Sequence, residues 1–257
     1  MKIAVISQQT LHPSYDEISE LQYKYCLQKF IDRGIPTFRH IGSIDENKRR
    51  VKSLEGKFNG NYFYLEKDCH KLHLDCDDLL DKENEIDPRG YKTYYAFKYL
   101  LENVDFDILF TTNCTSFLDV NGILENIKTF RTKRLYTGAI SGWDKHQLWF
   151  VISAFGFISR DLVEIIVANK ELYLNFTTEA SYVKNAFVYE DVCIGRVFKH
   201  LGVFKYNADD QPWFVRPPLI HRDKVNVEDL EKCDSCLTYR VEKDYLEAFT
   251  KLYSLYN

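Results

Sequence analysis

The chain has 257 residues, of which 28% are charged and 15% aromatic, with a formal net charge of -4 at pH 7. No basic face is available to neutralise phosphodiesters, which excludes nucleic acid as an expected partner. No apolar window reaches the length of a membrane helix. The seven cysteines, an odd number, favour free thiols in a reducing compartment. We therefore expect a globular protein of the cytoplasm with a sizeable core.

Strand-like and helix-like segments alternate along the chain. Strands are predicted at residues 2–6, 62–65, 107–110, 134–136 and 148–155. Helices are predicted at residues 15–33, 91–101, 162–168, 192–201 and 243–256, with Gly34 and Gly202 as stop signals after the first and fourth. Such alternation favours an α/β sandwich around a central sheet. Because no long linker or repeat interrupts it, residues 1–257 are predicted to form one domain.

Three short clusters carry metal-ligand or redox side chains, and each has a plainer alternative. They are Cys69, His70, His73 and Cys76; Asp75, Asp77, Asp78 and Asp81; and Cys233 with Cys236. The first offers zinc ligands, but its spacing matches no zinc pattern and its leucines indicate a packed segment. The second could bind a hard cation or form a solvated face. The third is a lone CxxC without the context of a redox site.

The segment 107–120, DILFTTNCTSFLDV, joins an apolar run to a row of small, neutral, mostly polar residues. Residues 108–110 are typical of a buried strand, and residues 111–116 follow it without a Gly or Pro until Gly122. This pattern predicts a group of neutral hydrogen-bonding side chains at the end of a core strand.

Two adjacent carboxylates, Glu190 and Asp191, stand at the predicted start of a helix whose apolar stripe follows them. The helix dipole stabilises negative charge at this position, so one carboxylate could act as a base or bind a cation. The alternative is that Asp191 only caps the helix.

Four segments, in this order, carry a family resemblance. Residues 87–93 look like a D-x-Y-x-N-L-x-x-K-T motif, and residues 106–121 lie where the same family has an apolar strand followed by K-T-D-D-D-V-F-V-N. Residues 136–138 and 154–162 look like Y-x-G and G-x-x-Y-x-x-S-x-D-L, and residues 189–195 with 201–203 look like E-D-V-x-x-G and L-G-V. Together they resemble a glycosyltransferase of the GT-A fold, closest to the β-1,3-galactosyltransferase and Fringe type, over nearly half of the chain.

The resemblance implies a Rossmann-like, three-layer α/β/α sandwich with a central mixed, mostly parallel sheet. Residues 1–120 would form the nucleotide-sugar-binding half, and residues 121–257 the acceptor-binding half with the C-terminal helix. The implied partners are a nucleotide-sugar donor, expected to be UDP-linked, and a saccharide acceptor. Animal members of the family are membrane-anchored, and this chain shows no anchor, so we expect a bacterial or viral enzyme of cytoplasmic polysaccharide or glycan assembly.

The resemblance also assigns site residues. Those expected to bind the donor are Ser7, Gln8, Lys92, Thr112, Asn113 and Thr115. Those expected to bind the acceptor are Gly138, Trp143, Gly156 and Phe157. The aromatic side chains Trp143 and Phe157, together with Trp149 and Phe155, could form a sugar-stacking wall, or they could be plain core.

In the resembled family, acids after the strand hold Mn²⁺ or Mg²⁺ against the donor diphosphate. Here Asn113, Cys114 and Thr115 occupy those places, and none is an anionic ligand. Two alternatives stay open: a metal held by displaced ligands, for which His221 and Asp119 are the candidates, or a neutral pocket that works without metal. Without metal, the leaving diphosphate would need cations, and those available are Lys92, His221, Arg222 and Lys224.

The resemblance implies that Asp191, next to Glu190, removes the proton of the acceptor hydroxyl as it attacks the anomeric carbon. Inversion at that carbon would follow. A retaining transferase on the same fold and a non-catalytic nucleotide- or sugar-binding protein remain as alternatives.

Overall fold

The structure is a computed structural model that describes residues 1–44, 51–78, 89–143, 148–178, 190–204, 221–225, 237–241 and 243–256. The strands are β1 (Ile3–Gln8), β2 (Thr37–Ile44), β3 (Phe63–Glu66), β4 (Lys71–Asp77), β5 (Ile108–Asn113), β6 (Ser116–Leu118), β7 (Tyr136–Trp143), β8 (Leu148–Ser159), β9 (His221–Val225) and β10 (Thr238–Val241). The helices are α1 (Asp16–Gln22), α2 (Gln28–Ile31), α3 (Arg89–Asn103), α4 (Val120–Ile127), α5 (Arg160–Ala168), α6 (Lys170–Thr178), α7 (Glu190–His200) and α8 (Tyr245–Leu255). A π-helical turn, Tyr23–Leu27, joins α1 to α2.

The main sheet has seven strands in the order β3-β4-β2-β1-β5-β8-β7. The four strands β4, β2, β1 and β5 are parallel to one another, and the remaining strand pairs are antiparallel. Parallel strands are buried on both faces and need apolar side chains on both, as the sequence IAVIS of β1 provides. A second, three-stranded sheet has the order β6-β10-β9.

One apolar core lies on each face of the main sheet. On one face α3, α5, α6 and α7 pack against the sheet, and on the other α1, α2, α4 and α8 do so. Helices on both faces of a mixed sheet with a parallel centre make a three-layer α/β/α sandwich, so the predicted fold class is confirmed. No helix among the described residues is long and apolar enough to cross a membrane.

All five predicted strands and all five predicted helices exist in the structure, with shifted ends. Gly34 and Gly202 both have positive φ angles, 72° and 62°, as expected of residues that end helices. The sequence analysis did not predict β2, β4, β6, β7 beyond its first residue, β9, β10, α4 or α6. Most of the zinc-type cluster forms β4, an inner strand on which Leu72 and Leu74 are fully buried, so the packed-segment alternative is confirmed.

Candidate functional site

A cleft with about 460 Å³ of empty space, part of it open to solvent, lies at the carboxyl ends of β1 and β5 and beside the middle of β2, between the sheet and helices α3 and α7. The carboxyl end of a parallel sheet is where α/β proteins bind ligands, because the loops there diverge. Glu190 and Asp191 line the cleft from the first turn of α7.

Gly195 sets the distance between α7 and the sheet. A Cβ atom at this position would lie 2.6 Å from the backbone oxygen of Trp149 and 2.9 Å from Cβ of Phe150, both on β8. Only glycine allows so close an approach. The helix therefore packs directly on β8 and brings its two N-terminal carboxylates into the cleft.

Both carboxylates are buried, Glu190 at 3% and Asp191 at 7% exposure. The Ser153 N–H donates to Oδ2 of Asp191 at 3.3 Å, and the Val192 N–H donates to Oδ1 at 2.7 Å. Backbone N–H donors and the helix N-terminus together stabilise negative charge on Asp191. The predicted position of the pair is confirmed, whereas its catalytic role stays a prediction.

The phenol of Tyr136 lies in the same cleft and is fully neutral at ordinary pH. Its pKa is raised above 10, mainly by burial and further by the charges of Asp191 and Glu190. The hydroxyl oxygen accepts a hydrogen bond from the Val151 N–H at 3.0 Å. Tyr136 thus places a neutral hydroxyl group near the two carboxylates.

The row of small polar residues after β5 forms a turn that bonds mainly to itself. Oδ1 of Asn113 accepts hydrogen bonds from the hydroxyls of Thr115, at 2.9 Å, and Ser116, at 2.8 Å. The amide of Gln22 on α1 donates to the backbone oxygens of Asn113 and Ser116 and accepts from the Ser7 hydroxyl at 2.6 Å. This arrangement stabilises the turn, so Ser7, Asn113 and Thr115 already have protein partners, and their donor role stays a prediction.

Thr112 and Gln8, the other neutral residues predicted to bind the donor, do line the cleft. Thr112 is almost fully buried on β5, and Gln8 is the last residue of β1. Both therefore remain candidates for donor contacts.

Lys92 is not an available cation, because its ammonium group forms a buried ion pair with Asp78. Its Nζ atom lies 3.2 Å from Oδ1 of Asp78 and donates to the backbone oxygen of Gln9 at 3.0 Å. Asp78 also accepts from the hydroxyl of Thr10 and from the N–H groups of Leu11 and Gly42, at 2.6 to 3.0 Å. The pair fixes the loop after β1, and Asp78 is therefore not part of a solvated acidic face.

The residues predicted to bind the acceptor include two glycines, which let β7 and β8 approach closely, and the aromatic ring of Phe157. Gly138 has a φ of 141° and pairs with Gly156 on β8, where a Cβ atom at Gly138 would lie 2.2 Å from the Phe155 backbone oxygen. The ring of Phe157 is fully buried and stacks on Phe110 at 4.8 Å. Gly156 and Phe157 also line the cleft, whereas the fully buried Phe155 does not, which favours the plain-core alternative for Phe155.

Trp143 ends β7, and its side chain lies outside the described residues.

Of the two predicted metal ligands, His221 and Asp119, the structure describes only the side chain of Asp119. Burial raises the pKa of the Cys114 thiol, which favours the neutral form. Asp119 caps α4 by accepting from the Gly122 N–H at 3.0 Å. Among the described residues, no group of three His, Cys, Asp or Glu side chains could hold a metal ion. The strand containing His221 pairs with β10, but the side chains of His221, Arg222 and Lys224 lie outside the described residues, as do Asp81, Cys233 and Cys236.

The sequence analysis missed His40 and Thr93, which also line the cleft. His40 is on β2 and is directly in register with Gln8 on β1. The signal that could have identified it was its register opposite the last residue of β1, but the strand that carries it was not predicted.

Comparisons with known proteins relate the fold to solved glycosyltransferases at very low sequence identity. No family model matches the chain, and no curated protein does. A glycosyltransferase involved in the glycosylation of the major capsid of PBCV-1 has a TM-score of 0.53 and 12% identity, with 98% of this chain and 99% of that chain covered. The galactosyltransferase LgtC in complex with donor and acceptor sugar analogs has a TM-score of 0.52 and 10% identity, with 99% and 96% covered. An active-site mutant of LgtC gives 0.51 and 10% over the same shares. The GT-A-like fold is thereby established.

Proposed function

We propose that this protein is a glycosyltransferase that moves a sugar from a nucleotide-sugar donor to a hydroxyl group of a saccharide acceptor. The observation that carries the proposal is the cleft at the carboxyl ends of the parallel strands, with the buried carboxylates Glu190 and Asp191 in its wall. Fold alone does not determine activity, whereas the side chains of a site do. The similarity to solved glycosyltransferases supports it.

Asp191 is the proposed general base. A base in this position has to stay ionised and point into the site, and the two N–H donors to Asp191 favour the ionised form. It would accept the proton of the acceptor hydroxyl as that oxygen attacks the anomeric carbon from the side opposite the leaving nucleoside diphosphate. The product would then have an inverted anomeric centre.

The proposal also includes the donor nucleotide, the biosynthetic role and the metal dependence of the enzyme. We assign a UDP-linked donor and a place in polysaccharide or glycan assembly, on the strength of the four motifs that resemble the β-1,3-galactosyltransferase and Fringe type. We also propose that donor binding does not require a divalent metal, because Asn113 and the neutral Cys114 replace the acids of that family and Asp119 is occupied as a helix cap.

The experiment is a transfer assay with purified Asp191→Asn, which keeps the size of the side chain and removes the base. Loss of general-base catalysis lowers the rate by about 10²- to 10⁴-fold. The matched control is Asp105→Asn. Asp105 is an exposed partner of Lys2 and does not line the cleft. Full activity of Asp191→Asn would contradict the proposed role.

The anomeric configuration of the product, read by NMR, separates the mechanisms. An inverted product is the predicted result, and a retained product would show that Asp191 is not a base in a single displacement. Nucleotide-sugar binding without any turnover in the wild type would instead support the non-catalytic binding protein.

A further inference from the structure

His40 lines the cleft, and both of its buried ring nitrogens lack a hydrogen-bond partner in the described part of the protein. Its side chain is 2% exposed, and neither Nδ1 nor Nε2 has a hydrogen-bond partner among the described residues. Buried polar atoms in folded proteins are nearly always paired, because an unpaired one loses its bonds to water without replacement. An unpaired imidazole in the wall of a cleft therefore indicates a partner that arrives with a ligand.

Gln8 adds a second group of the same kind. Gln8 and His40 are direct partners in the parallel pair of β1 and β2, so their side chains lie next to each other on the same face of the sheet. Both line the cleft. Nε2 of Gln8 is buried and has no hydrogen-bond partner among the described residues. Two neighbouring strands thus place adjacent unsatisfied nitrogens at one end of the same cleft.

The charge and the hydrogen-bonding groups of His40 and Gln8 indicate which type of ligand they would bind. Burial, helped by the charge of Lys92, lowers the pKa of His40 to about 3, so the imidazole is neutral at ordinary pH. The neighbouring Ser7 backbone opposes this shift without meeting the geometry of a hydrogen bond. A neutral imidazole carries one N–H donor and one acceptor nitrogen, and Gln8 adds an N–H donor. A hydroxyl group, which both donates and accepts, matches this set better than a phosphate, which needs positive charge.

We infer that His40 and Gln8 form a hydroxyl-binding subsite that recognises the transferred sugar. The inference rests on the proposed transferase function and deepens it, since it assigns the residues that distinguish one sugar from another. The sugar is the expected source of the hydroxyl, because Glu190 and Asp191, proposed to act at its anomeric carbon, line the same cleft.

The test compares His40→Leu and Gln8→Leu with the control His73→Leu. His73 is also a buried histidine with one unpaired ring nitrogen, but it lies on β4, where it bonds to Glu66, and it does not line the cleft. Calorimetric titration measures the affinity of each purified variant for UDP-glucose, UDP-galactose and UDP alone. A thermal scan of each variant without ligand reports stability.

The predicted result has two parts. His40→Leu and Gln8→Leu weaken the better-bound UDP-sugar about tenfold, since a sugar hydroxyl loses its partner, and change the affinity for UDP less than twofold. The ligand-free His40→Leu protein melts no lower than the wild type, because an apolar side chain replaces unsatisfied nitrogens. His73→Leu leaves both affinities unchanged. Monodeoxy UDP-sugars add a further check. The sugar that lacks the recognised hydroxyl should bind equally to wild type, His40→Leu and Gln8→Leu, because no hydroxyl remains for the two side chains to bind.

Several results would overturn the inference. Equal weakening of UDP and UDP-sugar would place the subsite at the nucleotide, and unchanged affinities would make His40 a structural residue. If His40→Leu fails to fold, the affinities of Gln8→Leu for UDP, the UDP-sugars and the deoxy series still decide. If the wild type binds and transfers a sugar while these variants behave as wild type, only this inference fails. If the wild type binds no nucleotide or nucleotide sugar, the proposed function fails with it.

Discussion

Replacing Asp78 by asparagine should destabilise the protein strongly, although Asp78 lies outside the cleft. Asp78 is 3% exposed and Lys92 2% exposed, and the carboxylate accepts from Lys92 and from three groups of the loop after β1 and of β2. Asparagine keeps the shape but removes the charge and one acceptor oxygen. The ammonium group of Lys92 is then buried without its counter-charge.

Breaking a buried ion pair on one side costs about 3–5 kcal/mol. For a chain of this size, each kcal/mol lowers the melting temperature by about 2–4 °C, so Asp78→Asn should melt roughly 10 °C lower than wild type. Urea denaturation followed by circular dichroism measures the free energy of unfolding. Since the loop that Asp78 holds directly follows Gln8, which lines the cleft, sugar-transfer activity should fall with stability.

The double variant Asp78→Asn with Lys92→Met tests the pairwise origin of this effect. If the two charges stabilise each other, the double variant loses at least about 1 kcal/mol less than the sum of the two single losses. The exposed pair of Asp105 with Lys2 supplies the control, and Asp105→Asn should leave the melting temperature unchanged. A loss below about 1 kcal/mol for Asp78→Asn, or strictly additive losses, would refute the argument that the pair fixes the loop.

Two further predictions concern the helix and the histidine of the site. Gly195→Ala places a methyl group 2.6 Å from the Trp149 backbone oxygen, which should cost about 1–3 kcal/mol and displace α7, lowering both melting temperature and transfer activity; unchanged activity would show that the close packing does not position the carboxylates. Because the pKa of His40 falls from 6.5 to about 3 on folding, the unfolded chain binds a proton there between these pH values and the folded chain does not. Wild-type stability should therefore fall about 2 kcal/mol more than that of His40→Leu between pH 7 and pH 5, measured by urea denaturation, and parallel pH profiles would contradict the lowered pKa.

The sequence predicted the elements with long or strongly apolar patterns. The run before Thr111 and the stripe after Asp191 have periods that hardly depend on the rest of the fold, and both were placed correctly. Elements such as β4 and β6 were missed because they are short or carry polar residues whose partners come from elsewhere in the fold. The local sequence pattern contains little information about which distant strand such an element pairs with.

The candidate site shows the same limit at the level of single residues. The carboxylates at the start of α7 were identified because they are adjacent in sequence. Lys92 was expected to serve the donor phosphate, but its partner Asp78 comes from the end of a different, unpredicted strand. His40 was missed for a related reason, since only the register of β2 with β1 brings it beside Gln8.

The most direct test of the account is a titration of the wild-type protein with UDP, GDP, TDP and CMP and their common sugar conjugates, each with Mn²⁺ and with EDTA, followed by melting temperature. A ligand at 100 times its dissociation constant stabilises the native state by about 2.7 kcal/mol, which corresponds to a rise of roughly 5–10 °C. The account predicts such a rise for one nucleotide and its sugar conjugate, with the same size in EDTA. No rise with any of these ligands under either condition would contradict the claim that the cleft binds a nucleotide sugar.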